Sequence, residues 1–252
     1  MNWRRKIIGI FQEFKSICEY FKYNFKQYRS NRLIGLAIRT GTDKANSGHG
    51  YVRIYDFFLN ERRHTIKTLC EIGLLYIRHQ TDETQIRKTT PSLNMWRQYL
   101  PNAKIIGFDI CHFLPPTDSQ IVIVQGDQSK REDLKKIIEI EKDLDVIIDD
   151  ALHASKHQQI TFNYLFKYLK SGGLFIIEDL HWQPSEYEDE KNPKTIDILR
   201  EFKRTGLWLS TLASEEERRI IEEGIKNIFI FDSLNNPDIT KSCDGIAVIE
   251  KR

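Results

Sequence analysis

"LDVIIDDALHASKHQQITFNYLFKYLKSGGLFIIEDL" runs from Leu144 to Leu180. Its first seven residues form an apolar strand pattern that ends on two adjacent aspartates, Asp149 and Asp150, with His153 three residues after the second. A helical pattern follows, "SKHQQITFNYLFKYLK" (155–170), and then a second apolar run, "GGLFIIEDL" (172–180), which also closes on acids, Glu178 and Asp179. Apolar strand, helix and apolar strand in succession are the sequence form of a parallel sheet covered on both faces. A buried strand can shed one carboxylate at its tip. Two carboxylates and an imidazole within five residues fit a site that handles protons or holds a cation.

The same alternation extends outward. "IKTLCEIG" (66–73), "AKIIGFDI" (103–110) and "QIVIVQGD" (120–127) are further strand candidates, and "PSLNMWRQYL" (91–100) and "KREDLKKIIEIEK" (130–142) are helical. Near the end, "IKNIFIFD" (225–232), the turn-forming "SLNNPD" (233–238) and "CDGIAVIEK" (243–251) predict an antiparallel hairpin. Gly172 and Gly173 are expected to end the helix before the fifth strand. No internal repeat or low-complexity tract is present.

At 252 residues, 40% hydrophobic and 29% charged, the chain suits one large α/β domain with a substantial core. A formal net charge of +2 is too small to argue for nucleic acid. Cys18, Cys70, Cys111 and Cys243 are scattered without CxxC spacing, which excludes a zinc ribbon and fits a reducing cytoplasm. Residues 1–32 carry eight Lys/Arg against Glu13 and Glu19, and Trp3, Ile7, Ile10, Phe11, Phe14, Ile17, Phe21 and Phe25 recur at three- and four-residue steps. That predicts an N-terminal amphipathic helical segment over 1–40, ahead of a catalytic domain over 41–252. Its apolar face is expected to pack on the domain or on a second subunit, as in a homo-oligomer, in preference to peripheral contact with an anionic membrane surface such as the inner membrane face.

Acids close all five strand candidates: Glu71, Asp109, Asp127, Asp149–Asp150 and Glu178–Asp179. Open parallel sheets bind ligands beyond the carboxyl ends of their strands. An acid at the second strand tip can accept both ribose hydroxyls of an adenosine, and Gly73 lets backbone approach a ligand. NAD is disfavoured, because "LLYIRHQTDETQIRKTTP" after Gly73 contains no glycine to cradle a diphosphate. S-adenosylmethionine, which has no diphosphate, fits better.

"GTDK" (41–44), "HGY" (49–51), "EIG" (71–73), "SLNMWRQYLPNAKIIGFDI" (92–110), "QGDQS" (125–129), "VIIDDALH" (146–153) and "LFKYLKSGGLFIIEDL" (165–180) together resemble the sugar O-methyltransferases of the mycinamicin/macrocin type, in matching order over about residues 40–182. The resemblance implies a Rossmann-like class I methyltransferase fold: a mostly parallel seven-stranded sheet with an antiparallel C-terminal hairpin. It implies S-adenosylmethionine and a divalent cation, magnesium or manganese, as cofactors. Asp150 and Asp179 are implied as metal ligands and His153 as general base, with Glu178 or Glu71 as a further ligand. Glu71, Gly73, Ser92, Asp109, Ile110, Asp127, Gln128, Asp149 and Lys44 are expected on the cofactor side. His49, Tyr51 and His181 are expected on the acceptor side.

Two departures stand out. Eighteen residues separate Gly73 from Ser92 where the family has a short glycine-rich loop, and the family's "DDGSH" is "DDALH" here. His157, four residues beyond His153, mimics a zinc pair, but the oxygen-rich surroundings favour a hard cation and leave His157 as a helix-surface residue. "GTDKANSGHGY" (41–51) reads as a linker or as a lid, and "HWQPSEYEDEKNP" (181–193) as an acceptor wall or a solvated loop. The expected activity is metal-dependent methyl transfer to a sugar hydroxyl of a nucleotide-linked sugar or surface-glycan precursor. A cephalosporin-hydroxylase-like oxygenase on the same fold, or a non-catalytic membrane-surface scaffold in glycan assembly, are the alternatives. An iron site of two histidines and one carboxylate matches the carboxylate-rich strand ends less well.

Overall fold

The computed structural model describes residues 32–45, 49–74, 88–181, 183–188, 191–232 and 245–252. The amphipathic pattern of residues 1–31 and the whole of the expected hairpin turn lie outside them. Seven strands form one sheet: β1 (Thr68–Ile72), β2 (Lys104–Asp109), β3 (Ile121–Gln125), β4 (Leu144–Asp149), β5 (Leu169–Ile177), β6 (Ile225–Phe231) and β7 (Ile246–Lys251). Their order is β3-β2-β1-β4-β5-β7-β6. The first five strands are parallel, and β7 runs antiparallel to both β5 and β6. The fold is thus the expected α/β, Rossmann-like one with an antiparallel C-terminal pair.

Seven α-helices accompany the sheet among the described residues: α1 (Leu33–Thr40), α2 (Val52–Leu59), α3 (Pro91–Tyr99), α4 (Arg131–Ile140), α5 (Ser155–Leu165), α6 (Thr195–Thr205) and α7 (Glu215–Gly224). Two apolar cores lie on opposite faces of the sheet. Leu69, Ile105, Val146, Ile148, Leu174 and Ile176 pack with α1–α3, whereas Cys70, Ile106, Ile147, Phe175 and Ile177 pack with α4–α7. Successive strand residues point to opposite faces, so continuous apolar runs are what a sheet buried on both sides requires. Each fully buried Leu, Ile, Val or Phe contributes about 1.5–3 kcal/mol.

Alternation also decides which face each acid joins. Glu71 continues the side of Leu69, Asp150 that of Val146 and Ile148, and Glu178 that of Leu174 and Ile176. All three carboxylates are thereby delivered to the α1–α3 side. Asp149 goes to the other side.

Three helices escape the sequence reading altogether: α2, before Lys67, and α6 and α7, within residues 195–224, whereas α1 falls at the end of the helical segment expected over 1–40. α7 opens with a capping box, in which the Ser214 hydroxyl accepts from the Glu217 backbone N–H and the Glu217 carboxylate accepts from the Ser214 backbone N–H. Gly172 and Gly173 correct an expectation. α5 tightens into a 3-10 turn (Phe166–Tyr168) and passes straight into β5, so the two glycines sit inside that strand. Pairing with β4 jumps there from Leu144↔Leu169 to Val146↔Leu174, and Gly172 takes φ 73°. They serve a bulge, where an unpaired residue with left-handed backbone favours glycine. No helix among the described residues is long and apolar enough to cross a membrane.

Candidate active site

The strand ends meet the turn between α1 and α2. Lys44, in that turn, is 1% exposed. Its ammonium donates to Asp150 Oδ2 and, at 2.8 Å, to Glu178 Oε1, and lies 3.3 Å from Glu71 Oε1. Burial works against the charged ammonium, but Asp150, Glu178 and Glu71 outweigh it and hold the Lys44 pKa well above the ordinary lysine value. Glu178 is pushed up by burial and by Asp150, against the pull of Lys44. Glu71 is raised mainly by burial, with Lys44 opposing.

Tyr51 immediately precedes α2, and Tyr55 lies one turn on. Residues four apart share a helix face, so the two hydroxyls reach neighbouring acids: Tyr51 donates to Asp179 at 2.5 Å, and Tyr55 donates to Glu178. Both phenols are fully buried, and burial followed by these carboxylates raises their pKa values. Consecutive side chains in a strand diverge, yet both acids face α2. The backbone of Asp179, at φ 53°, has left the extended conformation and ended the alternation.

His153 is the other non-glycine residue with positive φ among the described residues, at 64°. It precedes α5, and its Nε2 lies 3.4 Å from Asp179 Oδ2. Asp150, His153 and Asp179 each offer one ligand atom, all within 4.8 Å of one another. The two carboxylates suit a hard divalent cation such as magnesium or manganese, with the imidazole beside them. Two of these three donors occupy strained backbone, which costs of order 1–3 kcal/mol each and persists at functional sites. The residues present fit a cation. Burial raises the Asp179 carboxyl, with His153 opposing. His49 stacks on Tyr51 at 5.2 Å, with Nδ1 3.6 Å from Asp179 Oδ1.

The neighbouring strand ends form a second group. Gly73, at φ 89°, touches the backbone of Asp150 and Ala151. Asp109 accepts from Leu74 N and Cys111 N, both at 2.7 Å, which fixes its carboxylate at the β2 tip beside that turn. Ile110 is 45% exposed next to it. A glycine without a side chain, an acid and an exposed apolar residue on one edge fit an adenosine. Ser92 is buried in the first turn of α3.

On the sheet's other face, Gln128 donates to Asp149 Oδ1 at 2.8 Å and to Thr161 Oγ1 at 3.1 Å, and accepts from Leu152 N at 3.3 Å. It ties β4, the turn leading to His153 and α5 together. Burial raises the Asp149 pKa to about 7, against the Gln128 hydrogen bond. Asp127 accepts from Ser129 N and Oγ and pairs with Lys130 at 3.2 Å, so it organises the turn into α4. His181 pairs with Asp232 at 3.1 Å. His157 is a further correction: it lies inside α5, half-buried, with its ring edge-on to Tyr187 at 5.9 Å, and burial lowers its pKa.

Sequence reasoning missed Tyr55. The four-residue step from Tyr51 was the available signal, and it carries meaning once a helix is known to begin there. It also assigned Lys44 to a cofactor, whereas the structure sets Lys44 among acids.

No protein-family profile matches the chain. The tetracenomycin rhamnosyl 3'-O-methyltransferase of Streptomyces olivaceus is 30% identical over 152 residues, 60% of this chain and 37% of that protein. The mycinamicin VI 2''-O-methyltransferase of Micromonospora griseorubida matches at the same identity and coverage. A second enzyme of Streptomyces olivaceus, a 2'-O-methyltransferase of rhamnosyl tetracenomycin-C, is 31% identical over 63% of this chain and 41% of its own length. The chain therefore spans about two fifths of the curated relatives it matches. The solved MycE methyltransferase of mycinamycin biosynthesis, in complex with Mg, SAH and mycinamycin VI, superposes with a TM-score of 0.67 at 23% identity, over 88% of this chain and 54% of that one. In sequence over three fifths of its length, and in fold over nearly all of it, this chain is similar to the sugar O-methyltransferases of the mycinamicin/macrocin type.

Proposed function

We propose that the chain is an S-adenosylmethionine- and divalent-cation-dependent O-methyltransferase acting on a sugar hydroxyl. The observation that carries this reading is the Asp150–His153–Asp179 group, set beside the Gly73–Asp109 edge at the carboxyl ends of a β3-β2-β1-β4-β5-β7-β6 sheet. The relatives' names support it: two are O-methyltransferases of rhamnosyl tetracenomycin-C and one is a mycinamicin VI 2''-O-methyltransferase.

When bound, the cation would supply Lewis-acid polarisation of the acceptor hydroxyl, and the sulfonium would supply the methyl group. Asp150 and Asp179 would hold the cation. Asp109 and Gly73 would hold the adenosine end of the cofactor. His153 is assigned the acceptor's proton: a positioned base that removes it as the oxygen attacks contributes about 100- to 10,000-fold. Asp179, beside His153 Nε2, fixes the ring and stabilises the imidazolium that forms. Tyr51 and His49 orient Asp179 from the other side and would border the acceptor.

A nucleotide-linked sugar or glycan precursor is the finer acceptor proposal, and a completed glycoside of the relatives' kind is its competitor. Mass spectrometry of methyl transfer to both classes, with calorimetry of S-adenosylhomocysteine binding, tests the reading. Binding with transfer to a sugar supports it. A folded chain that binds no S-adenosylhomocysteine contradicts it.

A further inference from the structure

The helix that begins just after His153 lacks the usual features of a helix start. α5 takes Ala154 as its N-cap, whose methyl side chain has no oxygen to offer, and no acidic residue stands in its first turn. Lys156 stands there instead, with its charge set against the positive end of the helix dipole. Ser155 Oγ is buried and has no hydrogen-bond partner among the described residues, so it does not cap the helix either. The missing acceptor comes from further along the chain. Glu188 Oε1 accepts from the Ser155 backbone N–H at 2.7 Å. Around that bond, Tyr187 sets its ring edge-on to His157 at 5.9 Å, Gln159 Nε2 donates to Pro193 O at 2.7 Å, and Thr195 Oγ1 donates to Ser155 O at 3.2 Å. The described part of the 187–195 stretch is therefore laid along the first turns of α5.

We propose that Glu188 is a positioning residue, which caps α5 from outside the helix and so fixes the turn that carries His153 against the segment that carries Asp179. The proposal rests on the role given to His153 above. Two segments of chain meet twice here. His153 Nε2 lies 3.4 Å from Asp179 Oδ2, and the Ser155–Glu188 bond joins the same two segments again just beyond. A histidine at φ 64° persists only where its surroundings over-determine it. Gln128 holds the turn on one side of His153, accepting from Leu152 N at 3.3 Å, and Glu188 holds it on the other. A carboxylate at a helix N-terminus also complements the dipole, so Glu188 alone replaces both an N-cap oxygen and a first-turn acid. Because this carboxylate belongs to the stretch after β5, docking of that stretch and ordering of the His153 turn are one event.

Hydrogen exchange of the purified full chain, read by mass spectrometry, tests this with wild type, Glu188→Ala, and Glu188→Ala combined with Ala154→Ser. Peptides over 150–160 should exchange roughly 3- to 30-fold faster in Glu188→Ala, the usual size of a lost helix cap, while those over 121–140 keep wild-type rates. Ala154→Ser supplies an N-cap hydroxyl within the helix and should restore most of that protection. In a chain with 15N-labelled histidine, the ring signals of His153, assigned by their loss in His153→Ala, should move in Glu188→Ala and return towards wild type in the double variant. S-adenosylhomocysteine affinity, measured by calorimetry, should be unchanged, because Glu188 is not assigned to the cofactor edge. Unchanged exchange over 150–160 in Glu188→Ala overturns the cap. Faster exchange there with unmoved His153 signals overturns the positioning role. Faster exchange over 121–140 as well marks a general structural role and overturns both. A wild-type chain that binds no S-adenosylhomocysteine overturns the methyltransferase reading, while the exchange comparison still decides the cap.

Discussion

A side-chain carbon added to Gly73 would lie 2.1 Å from the carbonyl oxygen of Asp150. The turn after β1 and the acid-bearing turn after β4 thus pack backbone against backbone, reinforced by the Asp150 N–H donating to Ile72 O at 2.8 Å. Gly73→Ala should destabilise the chain by roughly 2–6 kcal/mol, combining the positive φ with an overpacked contact. Urea unfolding measures it. A loss under about 0.5 kcal/mol, the range of ordinary surface substitutions, would show that the two turns are not in contact.

Asp109 has two tasks in this structure, because both carboxylate oxygens accept backbone N–H groups at the strand end that faces the proposed cofactor. Asp109→Ala leaves the Leu74 and Cys111 N–H groups without that acceptor and should cost about 1–3 kcal/mol. S-adenosylhomocysteine affinity should fall at least tenfold, worth about 1.4 kcal/mol. Undiminished affinity in a folded Asp109→Ala protein would remove Asp109 from the cofactor site.

Asp127 predicts a pH effect. Burial acts against its charge, but Ser129 and Lys130 outweigh that and hold its carboxyl below the usual aspartate range. A carboxyl lowered on folding stabilises fully above its unfolded pKa of about 3.9, and the contribution disappears as pH falls through the folded value. Wild type should therefore lose stability more steeply than Asp127→Asn as pH drops below about 4. Parallel acid-unfolding curves would show that these partners do not hold Asp127 in solution.

The strands were legible because a sheet buried on both faces demands continuous apolar runs, and those are visible without context. The acids were legible as a set, since five strand tips repeat them. Their partition was not. Lys44 stands in a polar stretch, "GTDKANSGHGY", where a lysine is ordinarily solvated, and its burial depends on α1 and α2, two eight-residue helices too short for periodicity to declare. Gly172 and Gly173 misled because a helix end and a strand bulge want the same left-handed glycine. Neither strained residue, His153 or Asp179, carries a sequence mark of its backbone.

His153 and Asp150 have separable roles. Asp150→Asn should weaken Mn2+ binding at least tenfold, since an amide is a poorer ligand than a carboxylate for a hard ion. Its turnover should recover in part with excess metal. His153→Ala should lose about 100- to 10,000-fold in turnover without metal rescue. Mn2+ affinity lost equally in both variants would make His153 a ligand and not the base.

The central claim is methyl transfer to a sugar hydroxyl that depends on a divalent cation. The most direct measurement follows the methyl group of labelled S-adenosylmethionine into a sugar acceptor, using chain stripped with a chelator and then given Mg2+ or Mn2+. Transfer should be absent from the stripped protein and return with either ion. Full transfer by the thoroughly stripped chain would contradict the claim, and with it the role given to Asp150 and Asp179.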